Sequence, residues 1–379
     1  MHTAAPPFAH SSGPVPCRVA FVGEAWGKSE DLFKKPLIGG TGREFLQMLR
    51  DVDWPNLTEP RHQNTSHMSE LDMMHYWTAQ NIFITNVFAF RPEQNKIITL
   101  CGSKKDVGGK NYTYSAIQFG KYLRPEYLPE VARLKEELLQ VKPNLVIALG
   151  AVASWALCGV NTISTIRGAI AESTLIPGLK VLPTFHPANI FRQWANRPIL
   201  LADLIKAKGE ISFPEIRRPQ RNILVNPTIQ DLWDFYNFVL QNPDAILSID
   251  IETSCKTITC ISFSFSPDFA IVIPFHEPLK PSGNYWSSLE EELEAWKIVK
   301  LLLLTPNPKL GQNFLYDMQY LARMGFKINN VLHDTMLLHH ALYPEMEKGL
   351  GFLGSLYSNE SAWKLMRKRR GDAVVKAEE

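Results

Sequence analysis

Short apolar runs alternate with helically spaced positions through the first half of the chain. Residues 18–23 (RVAFVG) have the length and β-branched content of a buried parallel strand, and residues 42–50 put Phe45, Leu46 and Leu49 on one helical face. Further strands are predicted at 82–86 (IFITN), 145–149 (LVIAL) and 181–184, and helices at 129–140 and 151–157. That alternation predicts a doubly wound α/β/α sandwich. Two polar stretches, 54–76 and 101–114, interrupt it and are expected to be surface excursions.

At 213–221 the text becomes FPEIRRPQR, with no apolar period, and is expected to be an exposed linker. The pattern then restarts. A strand is predicted at 222–225, a helix at 229–240 with Leu232, Tyr236 and Leu240 on one face, a strand at 245–252 (AILSIDIE), strands at 257–265 and 269–275, and a helix at 289–304. Strands followed by helices predict a mixed sheet covered by helices. The expected organisation is a first domain over 1–212, a linker over 213–221 and a second domain over 222–379.

With 379 residues, 45% hydrophobic and 21% charged, disorder and fibrous architectures are excluded, and two domains can each bury a core. Forty Lys and Arg against 38 Asp and Glu leave a net charge of +2, so no chain-wide field announces nucleic acid, and any DNA contact must be local. Five cysteines without a C-x-x-C pair suit a reducing cytosol, and the N-terminus has no basic region followed by an apolar one, so the expected location is cytoplasmic with no membrane partner.

In the second half, Asp250 and Glu252 stand one residue apart in an apolar strand, so alternation points both carboxylates to one face. Such a pair is either two solvated acids at a strand end or a holder of divalent cations. Asn313 and Asp317, four apart, are expected on one face of a helix starting near Phe314, and Asp334 is expected to cap a helix. DIET, GQNFLYD and HDTMLL, in that order, resemble the proofreading 3′–5′ exonuclease domain of family A DNA polymerases, and LYPEMEKGLGFLGSLY is similar to the stretch after the second motif in that family. The resemblance implies a ribonuclease H-like (DnaQ-type) fold over about 222–357 and a Mg2+ or Mn2+ site in which Asp250, Glu252 and Asp317 are catalytic metal ligands, Asp250 bridging two ions. Asn313 would touch substrate. The family's third motif, a Tyr with an Asp four residues on, is missing after Tyr357; Tyr343 with Glu347 lies too early to replace it, and Asp372 has no such Tyr before it.

In the first half, GEAWG at 23–27 comes directly after a buried strand, which suits either a ligand crevice or an ordinary strand-to-helix turn; it is not a phosphate-binding Walker loop. Asn86 and His186 both fall at predicted strand ends. GEAWGKSED, ITNVFAFRP, VIALGAVA, Arg167-Gly168 and TFHPA, in that order, resemble the uracil-DNA glycosylase superfamily, closest to its iron–sulfur branch. The resemblance implies that Gly23, Glu24 and Gly27 form the first motif, which positions water and the flipped nucleotide, with Glu30 as the second loop acid. Asn86 would read the uracil edge and His186 would donate to O2 as the glycosidic bond lengthens. The branch has cysteines around its cluster, whereas this chain has only Cys17 before the first motif and Phe90 before Arg91-Pro92, so no iron–sulfur cluster is expected. Trp26 replaces the usual Pro, and Leu37 stands where the family has a Phe that stacks on uracil, leaving Trp26 as a replacement face.

Together the resemblances imply the N-terminal part of a phage-like family A DNA polymerase, acting on single-stranded or primer-template DNA, with uracil recognition or excision ahead of proofreading. The alternative is a non-catalytic uracil- or DNA-binding module joined to an inactive exonuclease-fold platform that docks a polymerase subunit. Arg217, Arg218, Arg221 and the run 367–370 are either solvated charge or phosphate contacts.

Overall fold

The computed structural model describes residues 6–59 and 64–360. Contacts divide these into two units, one running to Ile216 and resuming at Gly351, the other Arg217–Leu350. The second unit therefore stops short of the expected range 222–379, because the segment from Gly351 packs with the first: the Arg167 guanidinium donates to Ser355 Oγ at 2.9 Å. The arginine run 367–370 and Asp372 lie outside the described residues.

In the first unit, β1 (Val19–Ala25) leads through α1 (Lys28–Phe33), α2 (Gly40–Asp51) and α3 (Glu70–Ala79) to β2 (Phe83–Phe88). A small antiparallel ribbon, β3 (Cys101–Gly102) with β4 (Tyr122–Leu123), precedes α4 (Leu128–Val141). Then come β5 (Leu145–Leu149), α5 (Ala151–Cys158), α6 (Ile163–Ile166), β6 (Ala171–Glu172), β7 (Lys180–Thr184) and α7 (Arg197–Glu210). The main sheet has the order β2-β1-β5-β7-β6, parallel except for β6. Alternation along β1 builds a core on each face: Ala20 and Val22 pack with Val131 and Leu134 of α4, while Val19 and Phe21 pack with Phe45 and Leu49 of α2. This is the expected α/β fold. The order reverses at β1, which has β2 on one side and β5 on the other, and a crevice at the strands' carboxyl ends is where such sheets bind ligands.

The stretch 54–76 is not simply a surface excursion. Ser69 and Asp72 close a capping box on α3, and Met73, Tyr76 and Trp77 are buried, as are Trp54 and Met68. Polar neighbours hide this apolar period in the sequence.

The second unit consists of β8 (Asn222–Leu224), α8 (Ile229–Gln241), β9 (Leu247–Ser254), β10 (Thr257–Ser266), β11 (Phe269–Pro274), α9 (Leu289–Leu304), β12 (Lys309–Gly311), α10 (Leu315–Arg323), β13 (Val331–Asp334) and α11 (Thr335–Leu342). Its mixed sheet runs β13-β12-β9-β10-β11-β8, with β9, β10 and β11 as an antiparallel meander. The buried face of α8 is Leu232, Phe235 and Val239; Tyr236 is half-buried and Leu240 exposed, correcting the expected Leu232, Tyr236 and Leu240, because the wholly apolar Phe235 ring packs against Phe263 and Phe269.

The last helix among the described residues, α12 (Leu350–Tyr357), buries Leu353, Ser355 and Leu356. No helix among the described residues is long and apolar enough to cross a membrane.

Candidate functional site

Four parallel strands of the first unit end at one cavity of about 380 Å³. Glu24 comes from the end of β1, Asn86 from β2, Gly150 from just after β5 and His186 from just after β7, and Gly27, Glu30, Leu37, Phe185 and Arg192 also line it. Glu24, Gly27, Glu30, Leu37, Asn86 and His186 therefore face one space, although they span more than 160 positions of the chain, whereas Gly23 and Trp26 do not line it. Gly23 serves it indirectly. It pairs with Asn86 in the parallel register, and a Cβ there would stand 2.2 Å from Asn86 Oδ1, so only glycine leaves room for the amide.

His186 sits just beyond the proline-bearing end of β7, and its Nδ1 accepts from the Ala188 N–H at 3.2 Å. Nδ1 thus holds the lone pair, and in the neutral ring the proton is on Nε2. Burial, and secondarily the Arg192 guanidinium, pushes the imidazole down to about 4, so it is neutral at ordinary pH. Burial holds the Glu24 carboxyl above the usual carboxylate range, with Arg192 opposing. Gly150, at φ 89°, makes the turn from β5 into α5 and passes close to His186, whose Cβ would lie 3.0 Å from an added methyl.

Glu30 does more for the loop than for the cavity. Its Oε1 accepts from the Ile38 and Gly39 amides at 3.2 and 2.9 Å, bracing the turn that carries Leu37. Leu37 lines the cavity in a left-handed conformation, φ 51°, and its carbonyl accepts from Trp77 Nε1 at 2.8 Å. Trp26 does not line the cavity; it is buried edge-on to His10, with ring centroids 4.9 Å apart, so it is no replacement for a stacking Phe there. Phe185 lines the cavity instead, inside the TFHPA motif, where its aromatic character was the available signal. Arg192 carries no signal in the sequence beyond its nearness to His186.

In the second unit, Asp250 is exposed and Glu252 half-buried on one face of β9, as alternation predicts. Asp317 is buried on α10, its Oδ1 accepting from the Ile251 N–H at 2.8 Å. Burial, with Asp250 and Asp334 adding repulsion, raises it to about 6. Among the described residues no three His, Cys, Asp or Glu side chains stand as a preformed group that could hold a metal ion. Asn313 is not on the helix face with Asp317: it lies ahead of α10 at φ 53°, where the chain turns. Asp334 explains that turn, accepting from the Asn313, Phe314 and Met336 amides at 3.0, 2.8 and 2.8 Å. It caps α11 as predicted. In the linker, Arg217 and Arg218 are exposed and Arg221 donates to the Pro267 carbonyl at 3.3 Å.

Residues 10–207 match the family described as the uracil DNA glycosylase superfamily. A type-4 uracil-DNA glycosylase of Thermotoga maritima is 25% identical over 203 residues, 52% of this chain and 80% of that one. Another, of Archaeoglobus fulgidus, is 23% identical over 179 residues, 45% of this chain and 66% of that one. Among solved structures, Escherichia coli RNase D, an exoribonuclease involved in structured RNA processing, is similar at 17% identity over 37% of this chain and 34% of that chain, with a TM-score of 0.29. A likeness that slight leaves the second unit to be read from its own residues.

Proposed function

The chain belongs to the uracil DNA glycosylase superfamily, and from that membership we propose that its first unit recognises uracil in DNA and hydrolyses the bond between base and sugar. The observation that carries this reading is the convergence of Asn86, His186 and Glu24 on one cavity, with His186 neutral and its Nε2 bearing the proton. Asn86 offers a side-chain amide that can pair with both O4 and N3–H of uracil and meets the amino group of cytosine unfavourably. As the C1′–N1 bond breaks, its electron pair passes into the uracil ring, and the His186 Nε2–H donates to O2 where that charge gathers. Water adds to C1′ and a proton passes to the departing uracil anion, leaving free uracil and an abasic site; Glu24 orients that water. Gly27 lets the backbone approach the flipped nucleotide, and Phe185 supplies the aromatic face that Leu37 lacks. No iron–sulfur cluster takes part in this reading, since Phe90 stands where the branch has a cysteine.

For the second unit we propose the ribonuclease H-like exonuclease fold, from DIET, GQNFLYD and HDTMLL. The finer reading places the chain in the N-terminal part of a phage-like family A DNA polymerase, acting on single-stranded or primer-template DNA. In it, Asp250, Glu252 and Asp317 would be the residues that hold Mg2+ or Mn2+, and the ion would activate the water that attacks the phosphodiester. One oxygen of Asp317 is taken by the Ile251 amide, which supports the second reading of this unit as a non-catalytic platform that docks a polymerase.

The test is a gel assay of the chain with a 5′-labelled single-stranded oligonucleotide carrying one uracil, in Mg2+ or in EDTA, and then alkali. An alkali-dependent break at uracil that survives EDTA is expected. Intact DNA in every lane would overturn the excision reading, and a Mg2+-dependent ladder from the 3′ end would overturn the platform reading.

A further inference from the structure

Beneath the cavity, α4 buries three charged side chains one helical turn apart: Glu130, Arg133 and Glu137, each 3% exposed or less. Arg133 Nε lies 3.1 Å from Glu130 and its Nη1 2.8 Å from Glu137, so the guanidinium is held between two carboxylates. Its remaining nitrogen, Nη2, donates to the carbonyls of Asn86 and Val87 at 2.7 and 3.1 Å. Both acids also grip β2. Glu130 accepts from the Ala89 N–H at 3.0 Å, and Glu137 accepts from the Thr85 hydroxyl at 2.7 Å. The cluster thus holds the strand on both sides of Asn86.

Two features separate this from ordinary core packing. Among the described residues β2 is an edge strand, bonded to β1 on one side and on the other bridged only at Ile84 by Ser12, so from Asn86 onward the side chains of α4 do the holding that a neighbouring strand would do. The Asn86 amide makes no hydrogen bond to any described residue, so its direction is set through its own backbone. Apolar replacements of buried charge clusters are also commonly neutral or stabilising. Stability alone is a poor reason to keep it.

We propose that Arg133, locked by Glu130 and Glu137, is a positioning residue for base recognition, holding the Asn86 peptide so that its amide meets the uracil edge. The inference rests on Asn86 reading the base. A planar fork held at both ends does this better than an ammonium, which cannot keep two carboxylates and two carbonyls in one plane.

The test compares wild type with Arg133→Lys and with the charge-free triple variant Glu130→Gln, Arg133→Met, Glu137→Gln. Thermal unfolding, single-turnover excision from the uracil oligonucleotide, and affinity for the same oligonucleotide carrying an uncleavable 2′-fluorinated deoxyuridine are measured. Folded variants should lose excision rate on the order of 10- to 100-fold, as expected for a slightly misplaced group. Affinity for the oligonucleotide, governed largely by the phosphate backbone, should change by less than about threefold. Wild-type excision by either folded variant overturns the proposal; should the triple variant fail to fold, Arg133→Lys decides alone. A wild type that neither cuts at uracil nor prefers it to thymine in binding overturns the reading of Asn86 itself and the proposal with it. That outcome is distinct, because it is read before any variant is compared.

Discussion

Replacing Gly23 by alanine tests the geometry of the cavity at its most constrained point. The added Cβ would stand 2.2 Å from Asn86 Oδ1 and 3.3 Å from its Cγ, where ordinary contact begins at 3.4 Å, a shortfall of 3.4 − 2.2 = 1.2 Å. Gly23 has no positive φ, so alanine suits the strand backbone, and the clash must be relieved by the neighbour. The Asn86 peptide is pinned by Arg133, whereas its amide is not tied to any described residue, so the amide swings by about 1 Å and the strand stays. Misplacing a positioned group by that much costs roughly 100-fold in rate, or about 2.7 kcal/mol of transition-state stabilisation. The stability cost should be no more than about 1 to 3 kcal/mol, the usual range for overpacking, and nearer its lower end because the amide yields. Single-turnover cleavage of the uracil oligonucleotide, developed with alkali and normalised to folded protein from thermal unfolding, measures both. A folded Gly23→Ala protein cutting at the wild-type rate would refute the placement of Asn86 against the base.

Asn86→Ala and His186→Ala should abolish excision, whereas Asp250→Ala should leave it unchanged and, should the wild type show a Mg2+-dependent 3′ ladder, abolish that ladder; the gel assay in Mg2+ and EDTA separates them. Excision should fall as the pH approaches 4, where His186 takes up a proton on Nδ1 and loses the Ala188 N–H that orients the ring. The same shift has a stability sign: between the folded value of about 4 and the ordinary 6.5 the unfolded chain binds the proton and the fold does not, so stability is lost as pH falls through that window, by at most about 3 kcal/mol. Urea unfolding against pH should show that slope in wild type and not in His186→Ala. Asp334→Ala strips the acceptor from the Asn313, Phe314 and Met336 amides and should destabilise the second unit by about 1 to 3 kcal/mol, read from its denaturation midpoint.

Much of the first unit is legible in the sequence because its signals are local. A buried strand such as 145–149 must be apolar throughout, and the helix at 129–140 carries its own period, so both emerge within a residue or two of Leu145–Leu149 and Leu128–Val141. The helix α3 is not legible, since Glu70, Asp72 and His75 interrupt its buried positions and its cap is needed to recognise it. In the second unit the alternation of Asp250 and Glu252 is readable, but the left-handed turn at Asn313 is not: it depends on the Asp334 carboxylate, 20 or so positions away. The resemblance makes Glu30 a loop acid, but it lies on α1, and only its bonds to Ile38 and Gly39 reveal a brace.

By itself the sequence determined the two α/β patterns, the strand ends that carry Glu24, Asn86 and His186, and the small residues at 23, 27 and 150, because strand periodicity and turn chemistry act over a few residues. Only the tertiary structure decided what those residues are. Parallel strand order brought four carboxyl ends to one cavity, burial and Arg192 made His186 a neutral donor, and α4 placed its charges under Asn86. Proton affinity and side-chain direction depend on which distant groups share a low-dielectric space, and that is a property of packing, absent from any short stretch of chain.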